Sequence, residues 1–199
     1  MFYYDTTRIS YQVETEIPES EWVKRAKNGD EDAFVHLAKQ YHTKIWNTAS
    51  RYARSKPELE DLTQDLLLKI WKGLPSYRAT APFEHWVMTL AVRGCYDFLR
   101  KNRKRRESEQ LLDPSSHFQA TDTSAARVQS QAEASEVVAL LLAELEAKDR
   151  TIITLLDLEE KSVRETAELT GWSESNVKVR AHRARKKLKL IYEALKTEL

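Results

Sequence analysis

Apolar residues recur at intervals of three and four along most of the chain, and alternating strand-like runs are scarce. The pattern predicts an all-α protein. Asp30 is placed to cap a helix running to about residue 53, with Phe34, Leu37, Tyr41 and Ile45 on one side. Pro57 opens a second helix whose buried stripe is Leu59, Leu62, Leu66 and Ile70; its other face reads Asp61, Gln64, Asp65, Leu68, Lys72. After the loop "GLPSYRATAP", a long helix is predicted from about Phe83 to Arg105. Phe83, Val87, Leu90, Ala91 and Phe98 form its core stripe, and Trp86, Arg93, Asp97, Arg100 and Lys104 lie on another side.

Residues 107–132 are rich in Ser, Thr, Gln and Asp and lack a sustained apolar face, which reads as a flexible linker. The chain then divides into an N-terminal extension (1–21), a helical domain (22–106), the linker (107–132) and a second helical domain (133–195). In the second, Glu136–Glu146 is a predicted helix with Val138, Leu141, Leu142 and Leu145 buried, and Arg150–Leu158 is another. Ser162 and Glu165 form a capping box, Gly171 suits a left-handed helix end, and Ser173 caps the final helix. Ala167, Gly171 and Val177 occupy the small, turn and first buried positions of a helix-turn-helix.

Charge changes the picture. The chain is nearly neutral, at +1, yet "RGCYDFLRKNRKRR" (93–106) holds seven Lys/Arg and one acid, and residues 178–189 hold seven Lys/Arg and no acid. Two basic blocks in a neutral chain suggest two contact surfaces for a polyanion. An aromatic beside a line of cations, as at Trp86, Arg93 and Arg100, is the composition of a single-stranded nucleic-acid surface; a core position for Trp86 is the other reading. On the last helix, Val177, Ala181, Ala184, Leu188 and Ile191 follow at four, three, four and three and form the buried seam. Lys178, Val179, His182, Arg183 and Lys186 lie opposite, where the N-terminal half of the helix would enter a major groove. Arg180, Arg185, Lys187 and Lys189 flank that row and are expected at phosphates. The face of Asp61, Gln64, Asp65 and Leu68 reads as a protein-binding surface or as a solvated face with a scattered leucine.

Other chemistries find little support. Only four glycines occur, and neither dinucleotide nor phosphate-loop fingerprints are present. The single cysteine, Cys95, excludes a disulfide framework, points to a reducing cytoplasm, and reads as a buried, inert thiol. The histidines form no ligand cluster in sequence, and no nucleophile–base or metal constellation is found; the expectation is no enzyme, no cofactor and no metal. No apolar run approaches the ~18 residues of a membrane span, so no membrane insertion is expected. The opening "MFYYDTTRISYQ" lacks the order of a secretory signal.

Three stretches together resemble the extracytoplasmic function (ECF) group of bacterial RNA polymerase sigma factors of the sigma-70 family. "ELEDLTQDLLLKIWKGL" is similar to the family's second-region helix, with its E-D-x-x-Q-[DE] core. "FEHWVMTLAVRGCYDFLRKNRKRR" is similar to the promoter-melting helix, with an F-x-x-W-[LV] start and a D-x-L-R end. "SVRETAELTGWSESNVKVRAHRARKKL" is similar to the fourth-region helix-turn-helix, including V-K-x-R-x-x-R-A-R. The resemblance covers nearly everything after the first twenty residues. It implies an alternative sigma factor that binds the clamp helices and flap of core polymerase, directs promoter-specific initiation, and is held inactive by an anti-sigma factor. Asp61, Gln64, Asp65 and Leu68 would grip the clamp helices. The loop from Leu74 to Pro82, with Tyr77 and Arg78, would hold a flipped base of the −10 element. Trp86, Arg93, Arg100 and Lys104 would line the opening strand. Lys178, Val179, Arg180, His182, Arg183 and Lys186 would engage the −35 element.

Two departures stand at promoter-reading positions. Val92-Arg93 replaces the family's common Arg-Asn pair, and Val179 stands where Ser is common; an atypical promoter sequence is expected. Tyr3, Tyr4 and Tyr11 of the extension match no family feature. The competing reading is a conventional helix-turn-helix regulator, which leaves the basic-aromatic helix and the acidic face unexplained.

Overall fold

The computed structural model describes residues 17–112 and 137–198, with side chains up to Arg103 and from Val137 to Lys196. Among the described residues every regular element is helical. The boundary between two compact units falls between Gln40 and Tyr41, inside α2 (Glu31–Ser50).

The first unit contains α1 (Glu19–Lys27), which starts inside the predicted extension. Trp22 stacks on His36 at 4.2 Å, and Gln40 Nε2 donates to Glu19 Oε1 at 3.0 Å. Asp30 caps α2 as expected, accepting from the Ala33 N–H at 3.0 Å. That bond, and then the Arg25 guanidinium, hold its carboxyl below the usual range.

The second unit begins within α2. Ser55 caps α3 (Lys56–Gly73), with Pro57 in its first turn, and Glu58 Oε2 accepts from the Arg54 N–H at 2.6 Å. Leu62, Leu66 and Ile70 are buried as the stripe predicts. A short 3-10 turn (Leu74–Ser76) leads toward α4 (Phe83–Leu112). Gly94 sets the approach of α3 to α4, because a Cβ there would run into the Leu66 side chain. Lys69 and Asp97 pair at 2.8 Å across the same two helices. α4 continues past Arg105, since Glu, Ser, Gln and Leu follow and the first breaker is Pro114. The rest of the expected linker lies outside the described residues.

Residues 137–143 are helical (α5). α6 (Ala147–Ile153) runs directly into a π-helical turn (Thr154–Leu158). The helix predicted over Arg150–Leu158 therefore starts three residues earlier and widens at its end, where Glu159 N–H donates to the Thr154 carbonyl. Val138, expected in the core, is 39% exposed; Leu142 and Leu145 instead pack with Ile153 and Ala184. α7 (Val163–Thr170) carries the complete Ser162–Glu165 capping box and ends at Gly171 with φ 78°. Ser173 then accepts from the Asn176 N–H at the start of α8 (Glu174–Glu198). Ile152, Val177 and Ala181 close the core between α6, α7 and α8.

The helical regions on either side of the linker pack together. Val92 on α4 is buried with Leu155 and Leu169, with Met88 beside them. Cys95 is buried and free, and burial pushes its thiol well above the usual range.

Candidate nucleic-acid and partner interfaces

On α3, Asp61, Gln64, Asp65 and Leu68 follow the helical repeat of three and four and are all exposed. Leu68 is 47% exposed on a helix whose opposite side is core. The structure brings these four residues into one acidic stripe with Leu68 at its C-terminal end.

The α3–α4 loop is built by aromatic packing. Tyr77 is 9% exposed, and its hydroxyl donates to the Ala81 carbonyl at 2.8 Å. Its ring lies 5.2 Å from both Phe83 and Trp86. Tyr77 therefore holds the loop in shape, while Arg78 is exposed beside it. Trp86 is half-buried and also stacks on Phe83 at 5.6 Å, so it combines the core and surface readings. Seven-residue spacing puts Trp86, Arg93 and Arg100 on one side of α4. Arg93 and Arg100 are exposed, and Arg100 lies 3.9 Å from Asp97. Lys104 lies on α4, outside the described side chains.

On α8 the buried seam is Val177, Ala181 and Ala184, with Leu188 and Ile191 partly buried. Lys178, Val179, His182, Arg183 and Lys186 are exposed, and Val179 is 49% so. Lys178 lies 3.4 Å from Glu174, one turn earlier. The flanking cations have a different setting. Arg180 pairs with Asp149 at 2.6 Å and Glu146 at 3.7 Å, and the bond to Asp149 raises its guanidinium pKa further. Arg185 makes two bonds to Asp157, and Lys187 Nζ donates to the Glu144 carbonyl at 2.6 Å. These side chains tie α8 to α6 and its surroundings, which aims the row of Lys178, His182, Arg183 and Lys186 outward. Sequence reasoning put Arg180 beside the reading row, at phosphate, and missed its acidic partners. The signal for them was weak: acids some thirty residues away on a separate helix.

Residue 150 was also missed. Arg150 is 6% exposed, and its Nη2 donates to the carbonyls of Arg51 and Tyr52 at 3.2 and 3.4 Å. In sequence it reads as an ordinary surface charge of an amphipathic helix.

Two stretches of the chain match known family models. Residues 37–105 match sigma-70 region 2, and residues 135–188 match sigma-70 region 4. The RNA polymerase sigma factor YlaC of Bacillus subtilis is 29% identical over 158 residues, covering 79% of this chain and 91% of that protein. The ECF RNA polymerase sigma factor SigM of Mycobacterium tuberculosis is 28% identical over 169 residues, covering 85% and 82%. In fold, the chain is similar to the sigma factor RpoE of Bartonella quintana solved with the anti-sigma factor NepR, with a TM-score of 0.57, 19% identity, and coverage of 80% and 96%.

Proposed function

We propose, for a chain that belongs to the extracytoplasmic function group of the sigma-70 family, a division of labour among three surfaces. The protein is an alternative sigma factor: it binds core RNA polymerase and directs promoter-specific initiation, and it is an initiation factor, not an enzyme. Residues 22–106 form the core-binding and melting domain. Asp61, Gln64, Asp65 and Leu68 grip the clamp helices, with Leu68 as the apolar anchor of a polar stripe. The loop held by Tyr77 receives a flipped base of the −10 element, with Arg78 on its rim. Trp86, Arg93, Arg100 and Lys104 track the opened strand by stacking and charge.

Residues 133–195 form the −35 domain and sit on the flap. Lys178, Val179, His182, Arg183 and Lys186 face the major groove. Arg180 contributes mainly by fixing α8 on α6. Val179 offers a methyl surface where a hydroxyl would seek a hydrogen bond, which favours an apolar base edge such as the thymine methyl. Residues 107–132 link the two domains near the active site and RNA exit path, and residues 1–21 extend the chain. The protein works in the cytoplasm, where polymerase is, and no helix among the described residues is long and apolar enough to cross a membrane. An anti-sigma factor holds it inactive; the RpoE similar to it in fold is solved with one.

The observation that carries the −35 assignment is the capped helix-turn-helix whose second helix keeps an open basic row while its flanking cations are bound at home. The test is transcription by core polymerase with the chain added, over a library of genomic fragments. Initiation from a small set of fragments, each with a shared −35 sequence, is expected. Absence of initiation on every fragment, with duplex binding retained, would mean a conventional helix-turn-helix regulator instead.

A further inference from the structure

Between α2, the start of α4 and the segment that follows α6 lies a cavity of about 580 Å³. That volume falls in the range of small-molecule sites. Met88, Val92, Leu158 and Leu169 give it an apolar wall. Its charged lining sets Lys44, Arg51 and Lys161 against Glu84, Glu159 and Glu165. Half of these charges are already satisfied. Lys44 pairs with Glu84 at 2.6 Å, and Glu165 accepts from the Ser162 N–H in the capping box at 2.8 Å. Arg51 and Lys161 have no ion pair of their own among the described residues. The Glu159 Oε1 atom is buried, and it has no hydrogen-bond partner among the described residues.

The backbone that brings Glu159 and Lys161 to the cavity is unusual. The chain widens into the π-helical turn, and Glu160 then takes a left-handed φ of 51°, which an L side chain rarely adopts. The Lys161 N–H folds back to donate to the Leu155 carbonyl at 2.9 Å. Widened turns and strained residues both concentrate at sites that hold ligands. Burial also lets Glu159 take a proton more readily than an exposed carboxyl does. Protonated, it offers an O–H donor and leaves three positive charges against two negative ones in the lining.

We propose that this cavity binds a small organic monoanion, with its head on Arg51 and Lys161 and its apolar body against Met88, Val92, Leu158 and Leu169. Arg51 meets the head with a planar fork and Lys161 with a point charge, while Glu159 donates to it. A cation would be repelled by Arg51 and Lys161, and a purely apolar molecule would leave Glu159 Oε1 buried without a partner. The head's single charge balances the positive surplus. Neither basic row lines the cavity, so the proposal stands apart from the assignment of the DNA-contacting faces.

The test titrates the full chain with anilinonaphthalene sulfonate, an aromatic monoanion whose fluorescence rises in apolar surroundings. N-phenylnaphthylamine, the same body without the sulfonate, is titrated beside it. The parent should bind the sulfonate saturably at a single site and about tenfold tighter than the neutral amine, the scale of a charge-assisted contact. Decanoate should displace the dye, and decyltrimethylammonium should not. Arg51→Ala with Lys161→Ala should weaken binding about tenfold or more with helical circular dichroism retained. Glu159→Gln keeps a donor and removes the competing negative charge, so it should tighten binding. Equal affinity for the two dyes, adsorption without a single saturable site, or unchanged binding by the double variant each overturns the proposal. Displacement by decyltrimethylammonium, or weaker binding by Glu159→Gln, overturns it as well. If the double variant loses its circular dichroism, the competitors and Glu159→Gln decide.

Discussion

α4 and α8 carry similar charge in sequence, seven Lys/Arg each within fourteen residues or fewer, yet the fold treats them in opposite ways. On α8 the flanking cations are paired to Asp149 and Asp157, and the outward row is left to solvent. On α4 one member of the outward row, Arg93, lies against the turn at Gly171. Charge density announces a nucleic-acid surface, but the partners of each cation decide whether it is presented, structural or withheld. A cation paired in its own domain orients its helix and loses part of its attraction for phosphate.

The largest effect expected lies outside both basic helices and isolates them. Asp65→Ala with Leu68→Ala should weaken core polymerase binding about 30-fold, the scale of a lost apolar anchor near 2 kcal/mol. Co-purification with core enzyme checks it, and unchanged retention would remove the clamp surface from α3. Next, Arg183→Ala should reduce −35-dependent initiation about tenfold or more, as loss of a base-edge contact does, while the melting temperature stays within the narrow range of a surface change. Arg180→Ala should do the reverse. It loses about 1 kcal/mol or less of stability through the Asp149 pair, given its partial exposure, and its initiation defect should be smaller than that of Arg183→Ala. Thermal melts beside run-off transcription separate the two; equal transcription defects would mean that Arg180 also contacts DNA.

The smallest effect concerns the interface. Burial raises the pKa of Glu159 above its ordinary 4.5, against the pull of Lys161 and Arg51, and its Oε1 has no hydrogen-bond partner among the described residues. The Glu84, His85 and Glu165 side chains line the same cleft. A group whose pKa is raised in the packed state stabilises that state below its ordinary pKa, and the contribution is lost as pH rises through the raised value. Glu159→Gln should therefore melt higher than the parent above pH 4.5, with the gap closing toward lower pH. A gap independent of pH would assign the effect to packing.

Much of this was legible in the sequence because the signals are local. Capping at Ser162 and Glu165, the glycine at 171 and the seam from Val177 to Ile191 each follow from chemistry within one or two turns. The acidic stripe on α3 follows the same logic. The misses are long-range. Val92 is buried because a second layer of helices packs on α4, and no period within α4 announces that layer. Val138 fits the predicted apolar spacing yet stays exposed, while Leu142, near the end of α5, enters the core. Arg150 and Arg180 look like solvated charge until the fold places carbonyls and acids beside them.

In the proposed division of roles, α8 reads duplex DNA while α4 holds the opened strand. Transcription initiated by holoenzyme on paired and on pre-opened templates of one promoter tests that most directly. Arg93→Ala should be defective on the paired template and recover on the one opened across the −10 element, whereas Arg183→Ala should be defective on both. Recovery of Arg183→Ala by pre-opening, or failure of Arg93→Ala to recover, would contradict the division of roles.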